Sequence, residues 1–363
     1  MQRKSIETDA QHKTTKKIKD VVDDERYWIR IKTTPYSKSE LRIFANIEQG
    51  NSTSKEQMEF WLYARMGITG SQCSTVLGFG PGSVKTFIET CCGRLTKAKE
   101  REVSKIIDKF GPYNLDTIVR IAPTIPPSEF VKPRDYQTSN DGARYMLHGK
   151  KHEPVAATLF FVKTGYYSIP VGIIINNKLP QLKVSCDPVI LFPEYVTISE
   201  QRETRTKNGE LNIEYYYAGV RINRPKTRTI TEIKCTKALM EGLTAQYYWQ
   251  MQAEMFVTRS RAGYLVNLVV SEDKETRDKY GIVLRVFYVE FDDKAWETIA
   301  QPRIIEVANA INERDFDYQP TFPQKSFQVH MLAYEDYEIS EELYQKALDF
   351  DMGDPANTYE NVF

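Results

Sequence analysis

The amino-acid sequence predicts a mixed α/β domain with one central sheet, and two patterns support this class. Apolar residues recur at helical spacing over 141–164 and 237–258. The stretches that follow each of them are short, apolar and rich in β-branched residues, which is typical of buried strands. From about residue 139 the predicted order is therefore helix, three strands, helix, two strands and helix.

Each element of this order has its own signal. The first helix is predicted from Asp141 to Thr164, and Gly165 should end it because glycine readily adopts the left-handed backbone of a helix C-cap. The second helix has apolar residues on one face, from Met240 to Met255. The strands are predicted at Val171–Ile175, Leu182–Leu191, Thr227–Cys235, Tyr264–Val270 and Val283–Phe291, and the later helices at Lys237–Thr258 and Asp293–Asn312.

The rest of the chain divides around this core. Residues 1–26 are mostly polar and charged, and are expected to form a basic, flexible lead-in. Residues 27–333 are expected to form one domain, with a core of about 139–313 and an insertion at 194–224. Two β-rich runs in that insertion flank the hairpin signal Lys207-Asn208-Gly209. Residues 334–363 hold nine acids and one base, which predicts an acidic C-terminal tail.

Composition argues against membrane and secreted proteins. The 363 residues have a mean hydropathy of −0.49, and their apolar runs are far too short to span a bilayer. No apolar segment follows the first residues, so we expect no secretory signal. The five cysteines form no C-x-x-C pair, and their odd number favours a reducing, intracellular compartment. Residues 1–333 hold 48 bases and 40 acids, and this excess of eight suits a protein that binds a polyanion.

The candidate catalytic residues are Asp187, Glu232 and Lys234. Residues two apart in a strand point to the same side, so Glu232 and Lys234 share one face of the run Glu232-Ile233-Lys234. Asp187 ends a separate predicted strand, and two carboxylates from neighbouring strands form a site suited to Mg²⁺. A nearby lysine can orient the attacking water. Taken alone, an E-x-K pair is also typical of a strand that faces solvent, so both interpretations stay open.

Two spaced sets of polar residues add candidates. Gln246, Gln250 and Glu254 form a stripe on the helix predicted at 237–258. Gln250 is expected to face the sheet, whereas a solvated position stays open for the other two. His148 and His152 have the i, i+4 spacing of zinc ligands, but they lack a third ligand and are interpreted as structural or phosphate-facing.

Four motifs follow one another along the chain. They are Arg65-Met66-Gly67-Ile68-Thr69-Gly70-Ser71, His148-Gly149-Lys150-Lys151-His152-Glu153-Pro154, Ser185-Cys186-Asp187 with Glu232-Ile233-Lys234-Cys235, and Gln250-Met251-Gln252. With these motifs the chain resembles the lambda-exonuclease-like (YqaJ-type) viral recombinase nucleases of the PD-(D/E)XK superfamily. The resemblance covers roughly residues 60–291. It implies a restriction-endonuclease-like core, with a central mixed sheet flanked by helices and with insertions.

The resemblance also implies roles for the matching residues. The metal ligands would be Asp187, Glu232 and the backbone carbonyl of Ile233, with support from Glu153; Lys234 would position the water, and Gln250 would steady Lys234 or the scissile phosphate. Arg65 and Ser71 would bind the terminal 5′-phosphate of DNA. Ser185 is a further candidate DNA contact. The implied cofactor is Mg²⁺, as one or two ions, with Mn²⁺ as a substitute.

Two departures from the family pattern affect these roles. The usual Ser-Pro-Asp-Gly is here Ser185-Cys186-Asp187-Pro188, so the turn after the aspartate must differ. The insertion lengthens the connection between Asp187 and Glu232 to 45 positions. Its basic residues Arg202, Arg205 and Lys207 could follow a DNA backbone, or the hairpin could be decorative or an oligomer contact. Arg65 could equally complement a helix C-terminus, and Glu153-Pro154 could be a surface turn.

The function implied is a Mg²⁺-dependent 5′→3′ exonuclease that digests linear double-stranded DNA and leaves 3′ single strands for recombination, repair or replication, in a virus. One alternative is a structure-selective endonuclease that cleaves DNA or RNA with the same core. Another is a non-catalytic scaffold that binds DNA ends. The partners implied are double-stranded DNA ends, a single-strand annealing protein and further copies of the chain, because the phage branch of the family forms ring-shaped trimers.

Overall fold

Twelve strands and their flanking helices make up the parts of the chain that the structure, a computed structural model, describes: residues 68–80, 82–94, 141–170, 174–176, 179–184, 186, 188–190, 193, 200–270, 281–313, 315, 317–322, 327, 329 and 333–350. The strands are β1 (Ile68–Thr69), β2 (Ser168–Pro170), β3 (Ile174–Asn176), β4 (Leu179–Val184), β5 (Pro188–Ile190), β6 (Glu200–Arg205), β7 (Leu211–Tyr217), β8 (Val220–Arg221), β9 (Thr229–Thr236), β10 (Ala262–Val269), β11 (Ile282–Glu290) and β12 (Ala333–Ile339). The helices are α1 (Cys73–Val76), α2 (Val84–Arg94), α3 (Asp141–Thr164), α4 (Ala245–Thr258), α5 (Asp293–Ala295), α6 (Gln301–Glu313) and α7 (Glu341–Leu348), with a 3₁₀ turn at Gly70–Gln72 and a π-helical turn at Trp296–Ala300. None of these helices is long and apolar enough to cross a membrane.

A six-stranded mixed sheet forms the centre, in the order β12-β11-β10-β9-β5-β2. Strands β9 and β10 are parallel and are joined by helix α4, whereas the other neighbours are antiparallel. Strand β9 is thus an internal strand, and its register places Lys234 beside Asn267 of β10. The prediction of a mixed α/β domain with one central sheet is confirmed.

Two smaller sheets lie beside the central one. In the first, β4 pairs with β1 in parallel and with β3 in antiparallel orientation. In the second, β6, β7 and β8 form an antiparallel sheet within the region interpreted as an insertion. The hairpin predicted around Lys207-Asn208-Gly209 is confirmed, and Gly209 has the positive φ of 82° that such a turn needs.

The central sheet is covered on both sides. Ile230 of β9 belongs to the apolar cluster that contains α4 and α6, and Ile233 belongs to the cluster that contains Leu159 of α3 and the buried face of α7. Because side chains alternate along a strand, Glu232 and Lys234 lie on the same side as Ile230, which is the α4 side. Helix α3 therefore packs on the opposite side of the sheet from these two residues.

Helix α3 has the bounds that the sequence predicts, from Asp141 to Thr164. Pro154 lies inside it, so the alternative of a surface turn at Glu153-Pro154 is wrong. Gly165 follows with a φ of 72° and donates its N–H to the carbonyl of Phe161, which confirms the predicted helix stop.

Helix α4 begins later than predicted, at Ala245 rather than Lys237. The side chain of Thr244 caps it by accepting a hydrogen bond from the backbone N–H of Tyr247. The preceding loop is held by a side chain that the helical pattern does not reveal, because Asn267 accepts a hydrogen bond from the Met240 N–H at 3.2 Å. A tertiary contact therefore overrides the helical propensity of residues 237–243.

The acidic C-terminal segment differs from the separate tail expected from residue 334. Strand β12 forms the edge of the central sheet, and α7 packs on α3 through Tyr344 and Ala347. Of the six acids within 335–349, five are exposed and Glu335 is half-buried, so their number does not indicate a separate segment. Residues 351–363 and the lead-in at 1–26 lie outside the described residues.

Candidate active site

Glu232 and Lys234 form an ion pair on β9. The Lys234 ammonium group donates a hydrogen bond to Glu232 Oε1. The Glu232 side chain is 2% exposed, whereas that of Lys234 is 26% exposed. The Lys234 Nζ lies 5.7 Å from the centre of the Tyr247 ring. The pair therefore has a buried acid and a lysine that reaches solvent, which differs from the open alternative of a strand that faces solvent.

Gln250 joins this pair from helix α4. Its Nε2 donates one hydrogen bond to Glu232 Oε1 at 2.5 Å and another to Glu254 Oε1 at 2.9 Å. Gln250 faces the sheet, as the polar stripe predicts, and Glu254 is buried too, whereas Gln246 is exposed. The solvated position left open for Glu254 is therefore wrong.

Glu232 has one oxygen that suits a metal ion. Within the described residues, Glu232 Oε2 is buried and accepts no hydrogen bond. Leaving such an atom unsatisfied costs about 1–3 kcal/mol or more, since it is charged. Among the residues that the structure describes, no group of three His, Cys, Asp or Glu side chains is arranged to hold a metal ion.

Asp187 itself lies outside the described residues, as do Ser185 and Arg65. The residue that follows Asp187 in sequence is described, and the backbone carbonyl of Pro188 accepts a hydrogen bond from Thr231 Oγ1 at 3.1 Å. Val189 pairs with Ile230 in the antiparallel ladder between β5 and β9. The chain directly after Asp187 thus runs beside the residue directly before Glu232.

Glu153 lies on α3, which covers the opposite side of the sheet from Glu232. On the same helix His152 is buried, its Nδ1 lies 2.8 Å from the Tyr344 hydroxyl, and the rings of His148 and His152 are 4.5 Å apart. The contact between His152 and Tyr344 connects α3 to α7, whereas His148 packs against His152 within α3. The supporting metal role of Glu153 stays a prediction.

The described part of the first motif forms strand β1, which pairs with β4, and the start of the 3₁₀ turn at Gly70–Gln72. Ser71 is exposed in the 3₁₀ turn, and its Oγ lies 3.2 Å from Thr69 Oγ1. The turn continues into α1, and both pack against α4. A Cβ on Gly70 would lie 3.7 Å from Glu254 Oε1 and 3.2 Å from Val184 Cγ1, so the turn lies close to the residue that binds Gln250.

The basic residues of the hairpin have different surroundings. Arg202 donates two hydrogen bonds to the Glu200 carboxylate and stacks over Tyr216, 4.2 Å from the ring centre. Arg205 donates to the Gly209 carbonyl at 3.3 Å, and Lys207 is exposed in the turn. The charge of Arg202 is therefore already paired.

Two buried polar residues have no role in the sequence prediction. Asn267 donates to the backbone carbonyl of Lys234 at 3.1 Å, which fixes the strand beside the lysine. Lys183 of β4 is 5% exposed, and burial lowers its pKa to about 7. The only sequence signal for Lys183 is its position between the apolar residues Leu182 and Val184, and this position does not show that the lysine is buried.

The comparisons with known proteins agree with the four motifs. The model of the YqaJ-like viral recombinase domain family matches residues 60–261, which is more than half of the chain. The chain belongs to this family, and the predicted resemblance to the YqaJ-type viral recombinases is thereby confirmed. A comparison with curated proteins gave no match.

Similar solved structures include three exonuclease structures. An alkaline exonuclease (LHK-Exo) from Laribacter hongkongensis is 14% identical over 72% of this chain and 95% of its own, with a TM-score of 0.37. The same enzyme in complex with dAMP is 15% identical over 71% of this chain and 97% of its own, with a TM-score of 0.36. A phage related exonuclease from Haemophilus somnus 129PT is 14% identical over 68% and 94%, with a TM-score of 0.35.

Proposed function

We propose that the protein is a Mg²⁺-dependent deoxyribonuclease that digests linear double-stranded DNA from the 5′ end and leaves 3′ single strands. The observation that carries this proposal is the pairing of β5 with β9. Val189 lies opposite Ile230, so β5 and β9 pair within two residues in sequence of both Asp187 and Glu232. On this basis the carboxylates of Asp187 and Glu232 would hold one cation.

The residues present fit a hard divalent cation. Asp187, Glu232 through its unsatisfied Oε2, and the Ile233 carbonyl would hold Mg²⁺. When bound, the cation would supply Lewis-acid activation of the water and of the phosphodiester. The burial of Glu232 favours this fit, since a buried carboxylate with one pairing lysine keeps an uncompensated oxygen.

The remaining residues of the site would act on the water and on the phosphate. Lys234 would orient the water and offset the negative charge that develops on the phosphate, because its ammonium group reaches solvent beside the buried acid. Gln250 would hold Glu232 through its amide, at 2.5 Å. Both roles require these side chains to keep one conformation, and the hydrogen bonds between them supply it.

Arg65 and Ser71 would bind the terminal 5′-phosphate and so set the polarity. The exposed Ser71 hydroxyl supports this role, because it can donate its proton to a phosphate while it accepts a hydrogen bond from the Thr69 hydroxyl at 3.2 Å. Ser185 and Lys207 would contact the DNA further from the end. The single-stranded product suits an annealing protein and a role in viral recombination, repair or replication, and assembly into a ring would retain the enzyme on DNA.

The test is cleavage of labelled 45-base-pair duplexes by the wild-type protein with and without Mg²⁺. We expect Mg²⁺-dependent release of nucleotides from the 5′ ends of linear duplexes, faster with a 5′-phosphate than with a 5′-hydroxyl, and no cleavage of a covalently closed circle. Glu232→Gln and Lys234→Met should each reduce the rate by at least about 100-fold. Lys346→Met, which changes an exposed lysine that pairs with Glu342, should leave it unchanged.

Three outcomes would contradict the proposal in different ways. Cleavage of the closed circle would favour the structure-selective endonuclease. Binding of DNA ends without any Mg²⁺-dependent product would favour the non-catalytic scaffold. Equal rates for 5′-phosphate and 5′-hydroxyl ends, both unchanged in Ser71→Ala, would remove Arg65 and Ser71 from the binding of the end.

A further inference from the structure

Glu254 is a buried acid beside the proposed active site. It is 1% exposed, and its Oε1 accepts a hydrogen bond from Gln250 Nε2 at 2.9 Å. The same amide nitrogen donates to Glu232 Oε1 at 2.5 Å. The two carboxylate oxygens are therefore at most 5.4 Å apart, with one amide group between them.

Two carboxylates on one amide determine how that amide is oriented. A glutamine amide has two N–H donors on one side and a carbonyl acceptor on the other, and a rotation by half a turn exchanges them. With only Glu232 as a partner, rotation of the amide would cost one hydrogen bond, because the carbonyl would then face the carboxylate of Glu232. With Glu254 as a second acceptor, both N–H groups are used, and the rotated form loses two hydrogen bonds to charged groups.

Glu254 also lies against the turn that carries Ser71. Its Oε1 is 3.7 Å from the position that a Cβ on Gly70 would take. Burial, and then the Glu254 carboxylate, raise the pKa of the Cys73 thiol, which follows this turn in α1. The acid therefore binds Gln250 and lies close to the proposed 5′-phosphate turn.

We propose that Glu254 is a positioning residue, which holds the Gln250 amide with its N–H toward Glu232 and thereby keeps Glu232 and Lys234 in one arrangement. The inference rests on the proposed nuclease function for its effect on the rate. Its effect on the Gln250 side chain does not depend on that function. Glu254 itself touches neither DNA nor metal in this proposal.

The test compares two variants of similar volume. Glu254→Gln keeps an acceptor oxygen for the Gln250 amide, whereas Glu254→Met removes it, and both remove the charge. For the Met variant we expect kcat to fall at least tenfold on 5′-phosphorylated duplex with Mg²⁺, while KM for the duplex changes less than twofold. The Gln variant should keep kcat within about threefold of wild type. Should Glu254→Met fail to fold, Glu254→Leu provides the same comparison.

A second measurement reads the amide directly. In protein labelled with ¹⁵N-glutamine, the side-chain NH₂ signals of Gln250, assigned with Gln250→Leu, should exchange slowly with solvent in wild type and in Glu254→Gln. In Glu254→Met they should exchange at least tenfold faster. Equal kcat for the Met and Gln variants, or slow exchange in the Met variant, would overturn the proposal. If the wild-type protein cleaves no DNA but the exchange rates differ as expected, the nuclease function fails and the positioning role stands.

Discussion

Replacement of the buried Lys183 should stabilise the protein by an amount that depends on pH. Burial lowers the pKa of Lys183 from 10.5 to about 7. Below pH 7 the lysine is charged in both the folded and the unfolded protein, and the full cost of burying the charge is present. As the pH rises from about 7 to 10.5, the folded protein holds a neutral lysine while the unfolded chain is still protonated, so the free energy of unfolding rises.

The size of this effect follows from the shift. Each pH unit between the two pKa values changes the stability by about 1.4 kcal/mol. The cost of Lys183 is thus about 4 kcal/mol at pH 7 and about 2 kcal/mol at pH 9. Lys183→Met keeps most of the length of the side chain and removes the charge. We therefore expect the variant to be more stable than wild type, by a margin that shrinks by about 2 kcal/mol between these pH values.

Urea unfolding at pH 7 and pH 9, followed by the fluorescence of the buried Trp249 and Trp296, measures this margin. Lys163→Met is the matched control, because it makes the same replacement at an exposed position near the end of α3. The reasoning is refuted if Lys183→Met is less stable than wild type at pH 7. It is also refuted if the margin is the same at both pH values.

Two further predictions concern the ends of α3 and the hairpin. Gly165→Ala should reduce the free energy of unfolding by at least about 2 kcal/mol, because the φ of residue 165 is 72° and the new Cβ would lie 2.7 Å from the Arg221 carbonyl oxygen. A loss below about 0.5 kcal/mol in urea unfolding would contradict this. Arg202→Ala should change the affinity for duplex DNA less than about twofold, since the Arg202 guanidinium already pairs with Glu200. A roughly tenfold loss of affinity, measured by fluorescence anisotropy, would contradict this.

Much of the fold follows from local patterns in the sequence. The bounds of α3 and the hairpin turn at Gly209 depend on periodicity and on glycine, and both agree with the structure. The start of α4 and the docking of β12 were not predictable in this way. The start of α4 depends on Asn267, which accepts a hydrogen bond from the Met240 N–H. The docking of β12 depends on its pairing with β11 at the edge of the sheet. Local sequence reveals neither contact.

The site was predictable where a motif specifies the residue. Glu232, Lys234 and Gln250 lie together as the motifs imply. Glu254 was predictable only as part of a polar stripe, because periodicity cannot show whether such a stripe faces solvent or a buried acid. Lys183 gave no such signal, since alternation along a strand places a residue on a face but does not show what covers it.

The binding of Mn²⁺ to the DNA-free protein, followed by electron paramagnetic resonance, tests the central claim that Asp187 and Glu232 hold one cation. Asp187→Asn and Glu232→Gln should each weaken binding by at least about tenfold, and the double variant should bind little worse than either alone, because one site is lost in each case. Asp293→Asn, a surface acid that pairs with Arg261, should leave binding unchanged. Unchanged affinity in both single variants, or losses that simply multiply in the double variant, would contradict a shared site.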